Sequence, residues 1–522
     1  MQNKHKIRFI RIIVLILFFV SAFLHIVDTP WPYADGELKS DCIAAGQFQI
    51  ARNYLRYGYI KTKCLQILNP QESKPENWVF YFNHPATFPL LQSLVFRVFN
   101  PTFVCAKILP GIAYVLQIIF LYKLTRILYG KITALISLGV YSLFQMTLLF
   151  GAYPNYEPFC LLFILIFLER CAKKKYFQAT VFLGLGGLFD YVALYPGPFM
   201  ALILLLNRKG KNTIQLAKAV KIMVAWGIIS ICVLAVPFIH ASLAPKYSGF
   251  LNYIKGLFSS DTQLFVRATD FTWLNFLESQ LEYFIKGYGI IAFIVSIIGF
   301  ILIRWNRILL VIVSVSLFHI LVFRFHAHVH FFWGIYMAPA IAVSFGFLAT
   351  KIIMSSKSKR IIALGLALTL VAGAEGSARF ILRRSCVDPS KPKKWALVLN
   401  SSLPKESVAI LVGKNLPPFW SVEFFTNNIS VKESPLLSSF DFKRIALLLK
   451  KYGLHKRKIY AVANEKDMKE IGKTFNVNYL EKAREFFEKG IRKGIYLGKS
   501  KFKSPYPVLH FWDLTESFRQ YF

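Results

Sequence analysis

His84-Pro-Ala-Thr-Phe-Pro-Leu-Leu-Gln-Ser-Leu-Val-Phe-Arg-Val-Phe99 is the stretch on which the reading of this chain turns. It is apolar but short, and it carries Pro85, Pro89, Gln92 and Arg97. Counted as a membrane span, it inverts the sidedness of everything after it. Laid in the membrane interface, it leaves the later segments in the order that their charges require.

The surrounding chain makes a membrane the setting. Hydrophobic residues are 55% of the 522, charged residues only 17%, and the mean hydropathy is positive, a composition of polytopic membrane proteins. The net charge of +36 would suggest nucleic acid in a soluble protein. Here the Lys and Arg sit in short segments between apolar runs, where they report topology, and no nucleic-acid partner is expected. Runs of spanning length occur near 9–27, 102–122, 132–150, 155–168, 176–190, 192–206, 219–239, 287–303, 308–323, 331–350 and 361–378.

With 84–99 in the interface, five loops fall on one side of the membrane. They hold Lys123/Arg126/Lys131, Arg170/Lys173/Lys174/Lys175, Arg208/Lys209/Lys211, Arg304/Arg307 and Lys351/Lys357/Lys359/Arg360. The opposite connections, Gly151–Glu157, Asp190–Tyr191 and Arg324–His330, hold a single Arg. Basic loops stay in the cytoplasm, so about eleven transmembrane helices are expected, with the N-terminus inside and the C-terminus outside. The first run has a basic start (Lys4, Lys6, Arg8, Arg11) and no small-x-small cleavage site after it, and reads as a retained span. The seven cysteines are scattered without metal-ligand spacing, and Cys42 with Cys64 is the one pair that shares an external loop.

The fold expected is therefore a polytopic α-helical membrane domain over 1–382, with external loops near 28–101 and 240–286. An extracytoplasmic α/β domain follows over 383–522. That tail is charged and punctuated by Pro389, Pro392, Pro404, Pro417, Pro418 and Pro435. Within it Val408–Gly413 and Lys458–Ala463 read as buried strands, and Phe442–Lys451 and Glu465–Phe475 as helices. The Lys-rich, Phe/Ile-rich composition suggests a bacterial plasma membrane.

The external ends of the spans gather Asp35, Glu37, Asp41, His84, Glu157, Asp190 and the run Arg324-Phe-His-Ala-His-Val-His330. Ionisable groups at membrane depth are costly and read first as functional; helix-end capping is the alternative for each carboxylate. Ser40-Asp41 precedes the amphipathic run Ile43–Tyr57, so Asp41 is either a catalytic base or an N-cap. Asp35 and Glu37 lie in a Gly-containing turn and read as solvated. Glu157 precedes Pro158 at the start of a span, where dipole complementation would also account for it. The alternating His326, His328 and His330 fit lipid-phosphate contact, a metal site or interfacial anchoring. Glu375 and Arg379 are spaced for an ion pair within one helix.

Asp41 followed by Ile50-Ala-Arg-Asn-Tyr-Leu-Arg-Tyr-Gly58, with Tyr81-Phe-Asn-His-Pro85 ahead of an interfacial helix, resembles the GT-C class of membrane glycosyltransferases. Within it the pattern is most similar to the family-39-like branch: protein O-mannosyltransferases, lipid A aminoarabinose transferases and lipopolysaccharide-core transferases. The resemblance covers about residues 8–345. It implies that Asp41, in the first external loop, is the catalytic base and that Glu157 in Tyr156-Glu-Pro158 is the second acidic residue. His84-Pro85-Ala86 matches a Pro-containing element that often has two prolines, Gly187–Tyr191 a span ending in Asp, and His330-Phe-Phe-Trp333 with Pro339 a late His-aromatic element. The donor implied is a polyprenyl-phosphate sugar used on the extracytoplasmic face. The acceptor is a hydroxyl of a lipid, glycan or protein.

The residues agree with that chemistry on their own terms. A phosphate leaving group needs no general acid, so one carboxylate for the acceptor proton and several donors for the departing phosphate suffice. Asp41 can supply the first; His84, Asp190, Arg324, His330 and Arg52 are the expected substrate-binding set. No cofactor is expected, and a divalent metal is compatible but not indicated. Two other readings compete: a transporter or flippase for a lipid-linked substrate, and an anchored binding protein that works through its tail. The first should show inverted repeats and mid-membrane charges, whereas the charges here cluster at one end of the spans.

Overall fold

A computed structural model of the chain describes residues 2–28, 38–68, 75, 78, 80–81, 84–206, 213–244, 272–303, 306–328, 330–355, 358–385, 391–404, 407–412, 430–434, 457–464, 495–499 and 509–514. The chain divides into two compact units, residues 1–36 with 82–387, and residues 37–81 with 388–522.

Each of the expected apolar runs of the first unit lies on helix, but their lengths differ. Among the described residues five helices are long and apolar enough to cross a membrane: Ile7–Ile26, Val104–Tyr129, Ala217–Pro237, Phe331–Ser355 and Arg360–Arg383. A sixth arises if Trp273–Tyr288 and Ile290–Leu302, bent by 101°, form one broken span. Lys131–Tyr141, Tyr191–Leu206 and Arg307–Val322 are apolar but shorter. The run 132–150 is interrupted because the Thr147 hydroxyl bonds the carbonyls of Tyr141 and Phe144, a side-chain competitor for backbone groups that breaks a helix.

The stretch that opened the reading forms a 12-residue helix, Thr87–Val98. At 1.5 Å per residue it is about 18 Å long, against about 30 Å of hydrocarbon. Phe88, Pro89, Gln92, Ser93 and Phe96 are buried while Leu91, Leu94 and Val98 are exposed, so it is two-sided rather than apolar all round.

The bend before Ile290 has an identifiable cause. Gly289 sits at φ +85°, ψ 150°, a backbone region that is essentially glycine-only. The Glu375 carboxylate, from the last long helix, accepts from the backbone N–H groups of Ile290 (3.0 Å) and Ile291 (3.4 Å). It thereby caps a helix that is not its own. Arg379 holds that carboxylate through Nη2 at 2.8 Å and Nε at 3.1 Å, so the expected ion pair serves a long-range cap. Alanine at position 289 would place Cβ 2.5 Å from Glu375 Oε2. Gly289→Ala is expected to cost about 1–3 kcal/mol, read as a lower thermal midpoint in detergent; an unchanged midpoint would show that the cap bears little strain.

The segment beyond Thr272 forms the helix Trp273–Tyr288, with Trp273, Leu274, Leu277 and Leu281 exposed. Its other side donates from Gln280 to the Ala327 carbonyl (2.8 Å) and from Tyr283 to that of His328 (2.9 Å). It thus anchors the histidine-containing turn.

The second unit contains the helix Leu38–Tyr57, the turn Tyr59–Thr62 and the helix Lys391–Ser402. Asn53 donates to the Ile67 carbonyl (2.8 Å), and Tyr54 to that of Cys64 (2.9 Å). Burial pushes the Tyr54 phenol well up, with Cys64 and Tyr59 adding to it, so it stays a proton donor. The same unit holds a mixed five-stranded sheet: β1 Val408–Val412, β2 Ser430–Ser434, β3 Ile459–Asn464, β4 Ile495–Lys499 and β5 Leu509–Asp513. The order is β2-β1-β3-β5-β4, with β1 parallel to β2 and β3, and β5 antiparallel to β3 and β4. The two strands expected from sequence are β1 and β3; the expected helices at 442–451 and 465–475 lie outside the described residues.

Candidate active site

The first unit brings three of the expected site residues together. The His84 imidazole Nδ1 lies 3.0 Å from Asp190 Oδ1, although 106 residues separate them in the chain. Its Nε2 lies 2.6 Å from the Tyr156 hydroxyl, and the two rings overlap with centroids 4.0 Å apart. Asp190 is 5% exposed, and its Oδ1 also accepts from the Tyr191 backbone N–H at 2.7 Å. A buried carboxylate of this kind fixes the orientation of the imidazole it faces. If Nδ1 carries the proton, Nε2 accepts from Tyr156; if the ring is an imidazolium, it donates to both.

Local packing explains the meeting. Phe159 stacks on Phe189 with centroids 4.5 Å apart and 3° between planes, and Phe88 packs on Phe159 at 5.7 Å. These contacts bind together the helix after His84, the helix Glu157–Ala172 and the end of Tyr176–Gly187. The Cys160 thiol reaches the Asp190 carbonyl at 3.9 Å. Glu157 opens its helix, with Pro158 next to it, and is buried. That first turn is fixed from the side. Gln117 donates to the Pro158 carbonyl at 2.6 Å and accepts from the Tyr141 hydroxyl at 2.8 Å.

The other expected residues make contacts of their own. Arg324 holds its guanidinium over the Trp273 ring at 5.3 Å, and His330 packs on Phe332 (5.0 Å) and Trp333 (5.5 Å). Asp41 and Arg52 belong to the second unit, on the helix Leu38–Tyr57. Asp41 lies within its first turn rather than ahead of it; its side chain, like that of His326, is outside the described residues, as are Asp35 and Glu37 entirely. Arg52 is half-buried. Among the described residues no three His, Cys, Asp or Glu side chains group as a metal ion would need.

Sequence reasoning passed over Tyr156, Asn155 and Tyr336, all buried beside these groups. Two of them flank Glu157 in Asn155-Tyr156-Glu157, which is the signal that was available.

Comparison with known proteins gives this arrangement a context. Residues 83–239, less than a third of the chain, match the family described as dolichyl-phosphate-mannose-protein mannosyltransferase. No curated protein matches the sequence. Among solved structures, ArnT from Cupriavidus metallidurans in the apo state is similar at TM-score 0.55 and 12% identity, covering 95% of this chain and 97% of that one. The same ArnT bound to undecaprenyl phosphate gives 0.54 and 12%, with the same coverage. The oligosaccharyltransferase AglB from Archaeoglobus fulgidus, in complex with an inhibitory peptide and a dolichol-phosphate, gives 0.54 and 12% over 94% of this chain and 73% of that one. The chain has the GT-C fold of membrane glycosyltransferases, and its segment 83–239 is matched by their dolichyl-phosphate-mannose-protein mannosyltransferase family.

Proposed function

We propose that this protein is an inverting glycosyltransferase that moves a sugar from a polyprenyl-phosphate donor to an acceptor hydroxyl on a lipid, glycan or protein. The observation that carries the reading is the convergence of His84, Asp190 and Glu157 at one place in a GT-C fold. The ArnT structure with undecaprenyl phosphate and the AglB structure with a dolichol-phosphate support the donor class. In this reading Asp41 takes the acceptor proton as the acceptor oxygen attacks the anomeric carbon from the face opposite the phosphate. A single direct displacement inverts the configuration there. His84, Arg324, His330 and Arg52 steady the departing phosphate, which leaves without a general acid or a cofactor.

The site is proposed to face the outside of a bacterial plasma membrane, within about eleven spans. The five basic loops that fall on one side when 84–99 lies in the interface support that count. A reporter fused after Arg384 is expected to read the outer side; a cytoplasmic reading would restore 84–99 as a span and reverse the topology.

One experiment separates transfer from transport. Vesicles carrying the protein are loaded with a polyprenyl-phosphate sugar labelled in the sugar. Transfer moves the label onto a chemically different acceptor and leaves polyprenyl phosphate. Label that only changes leaflet while staying on its lipid would make the protein a flippase.

A further inference from the structure

Three buried polar side chains near Asp190 are poorly satisfied by the packing around them. Glu157 is 2% exposed, and beyond its own backbone N–H and the nearby Asn155 amide neither carboxylate oxygen meets a well-formed hydrogen-bond partner among the described residues. Asn155, 0% exposed, has only Glu157 in reach of its amide, and the Tyr336 hydroxyl, 2% exposed, only the Cys160 thiol, neither with full hydrogen-bond geometry among the described residues. They come from two segments that pack on each other, the entry to the helix Glu157–Ala172 and the turn Phe331–Met337. Asn155 adjoins Glu157, and Tyr336 lies within electrostatic reach of both Glu157 and Asp190. Each buried unpaired amide or hydroxyl costs about 1–3 kcal/mol, and an unpaired carboxylate more. Three on two segments that pack on each other are a place where a polar ligand would complete them.

Their chemistry selects the ligand. A carboxylate only accepts; an amide side chain and a phenol both donate and accept. A phosphate offers acceptors alone, so it can meet the donors of Asn155 and Tyr336 but leaves the acceptor oxygens of this group unmet. A ring bearing several hydroxyls offers the donors that Glu157 needs and the acceptors that Asn155 and Tyr336 need.

We propose that Asn155, Glu157 and Tyr336 form the subsite for the sugar of the lipid-linked donor. Glu157 accepts from ring hydroxyls, while Asn155 and Tyr336 bond ring oxygens and select among sugars. Hydroxyls held next to the reacting carbon tighten their hydrogen bonds as charge develops in glycosyl transfer. The proposal rests on the glycosyltransferase reading and adds where the sugar lies.

The test uses the full chain in detergent, titrated with polyprenyl phosphate and with polyprenyl-phosphate mannose, glucose and galactose. The wild type is expected to bind at least one sugar-bearing lipid about tenfold more tightly than the bare phosphate. Tyr336→Phe and Asn155→Leu are each expected to abolish that gain, with affinity for the bare phosphate unchanged. Tyr336→Phe removes a hydroxyl whose neighbour in the protein is the Cys160 thiol, a weak partner, so its thermal midpoint should fall by no more than a degree or so; a large fall would mark a structural role and overturn the assignment. Variants that keep the sugar-dependent gain, or a wild type that binds bare polyprenyl phosphate with no gain from any of these sugars, overturn the subsite alone. A wild type that binds none of the lipids overturns the donor reading along with it.

Discussion

Leucine in place of His84 is expected to lower both stability and activity, the former by about 2–4 kcal/mol and the latter by about 100-fold or more. The argument starts from burial. The Asp190 side chain is 7% exposed and that of His84 23%, so removing the imidazole leaves a carboxylate inside the protein that keeps, among the described residues, the Tyr191 N–H. Tyr156 loses its bond to the imidazole at the same time. Asp190→Asn, which keeps the shape and removes the charge, should cost less stability while still disordering the imidazole. Thermal midpoint and transfer rate, measured on the same preparations, check both. Wild-type values for His84→Leu in both would show that the His84–Asp190–Tyr156 chain does nothing.

Asparagine in place of Asp41 should act on rate alone. A positioned general base contributes about 10²–10⁴-fold, so a fall of about 10³-fold in kcat is expected, with the donor KM little changed. The rival account, that Asp41 only complements the N-terminal end of its helix, predicts something different. Asp41 lies in the first turn of Leu38–Tyr57, where losing a negative charge costs about 0.3–1 kcal/mol and no chemistry. Thermal midpoint and kcat together decide between them.

What the sequence disclosed follows from the range of the interactions involved. Apolar runs and basic loops are local, so each run found its helix, and 84–99 was legible as a short one. The breaks were not legible. The bend at Gly289 depends on Glu375, 85 residues ahead of the N–H that it caps at Ile290, and the interruption after Tyr141 depends on one threonine hydroxyl.

Among the strands, β1 and β3 announced themselves as apolar runs because they lie inside the sheet. The edge strand β2, Ser-Val-Lys-Glu-Ser, is polar, as edges tend to be, and it left no such trace. In the site, His84, Glu157 and Asp190 stood out as ionisable groups at span ends, but only the fold pairs His84 with Asp190. Tyr156 and Tyr336 escaped notice because a tyrosine is an unremarkable residue in a chain with 25 of them.

The most direct measurement of the central claim presents one labelled sugar in two forms, on polyprenyl phosphate and on a nucleoside diphosphate. It uses membranes containing the protein, with synthesis of new lipid-linked sugar blocked. The account predicts transfer of label from the polyprenyl phosphate to an acceptor, loss of that transfer in Asp41→Asn, and none from the nucleotide. Label moving directly from the nucleotide sugar, or none moving from the lipid for any sugar tried, would contradict it.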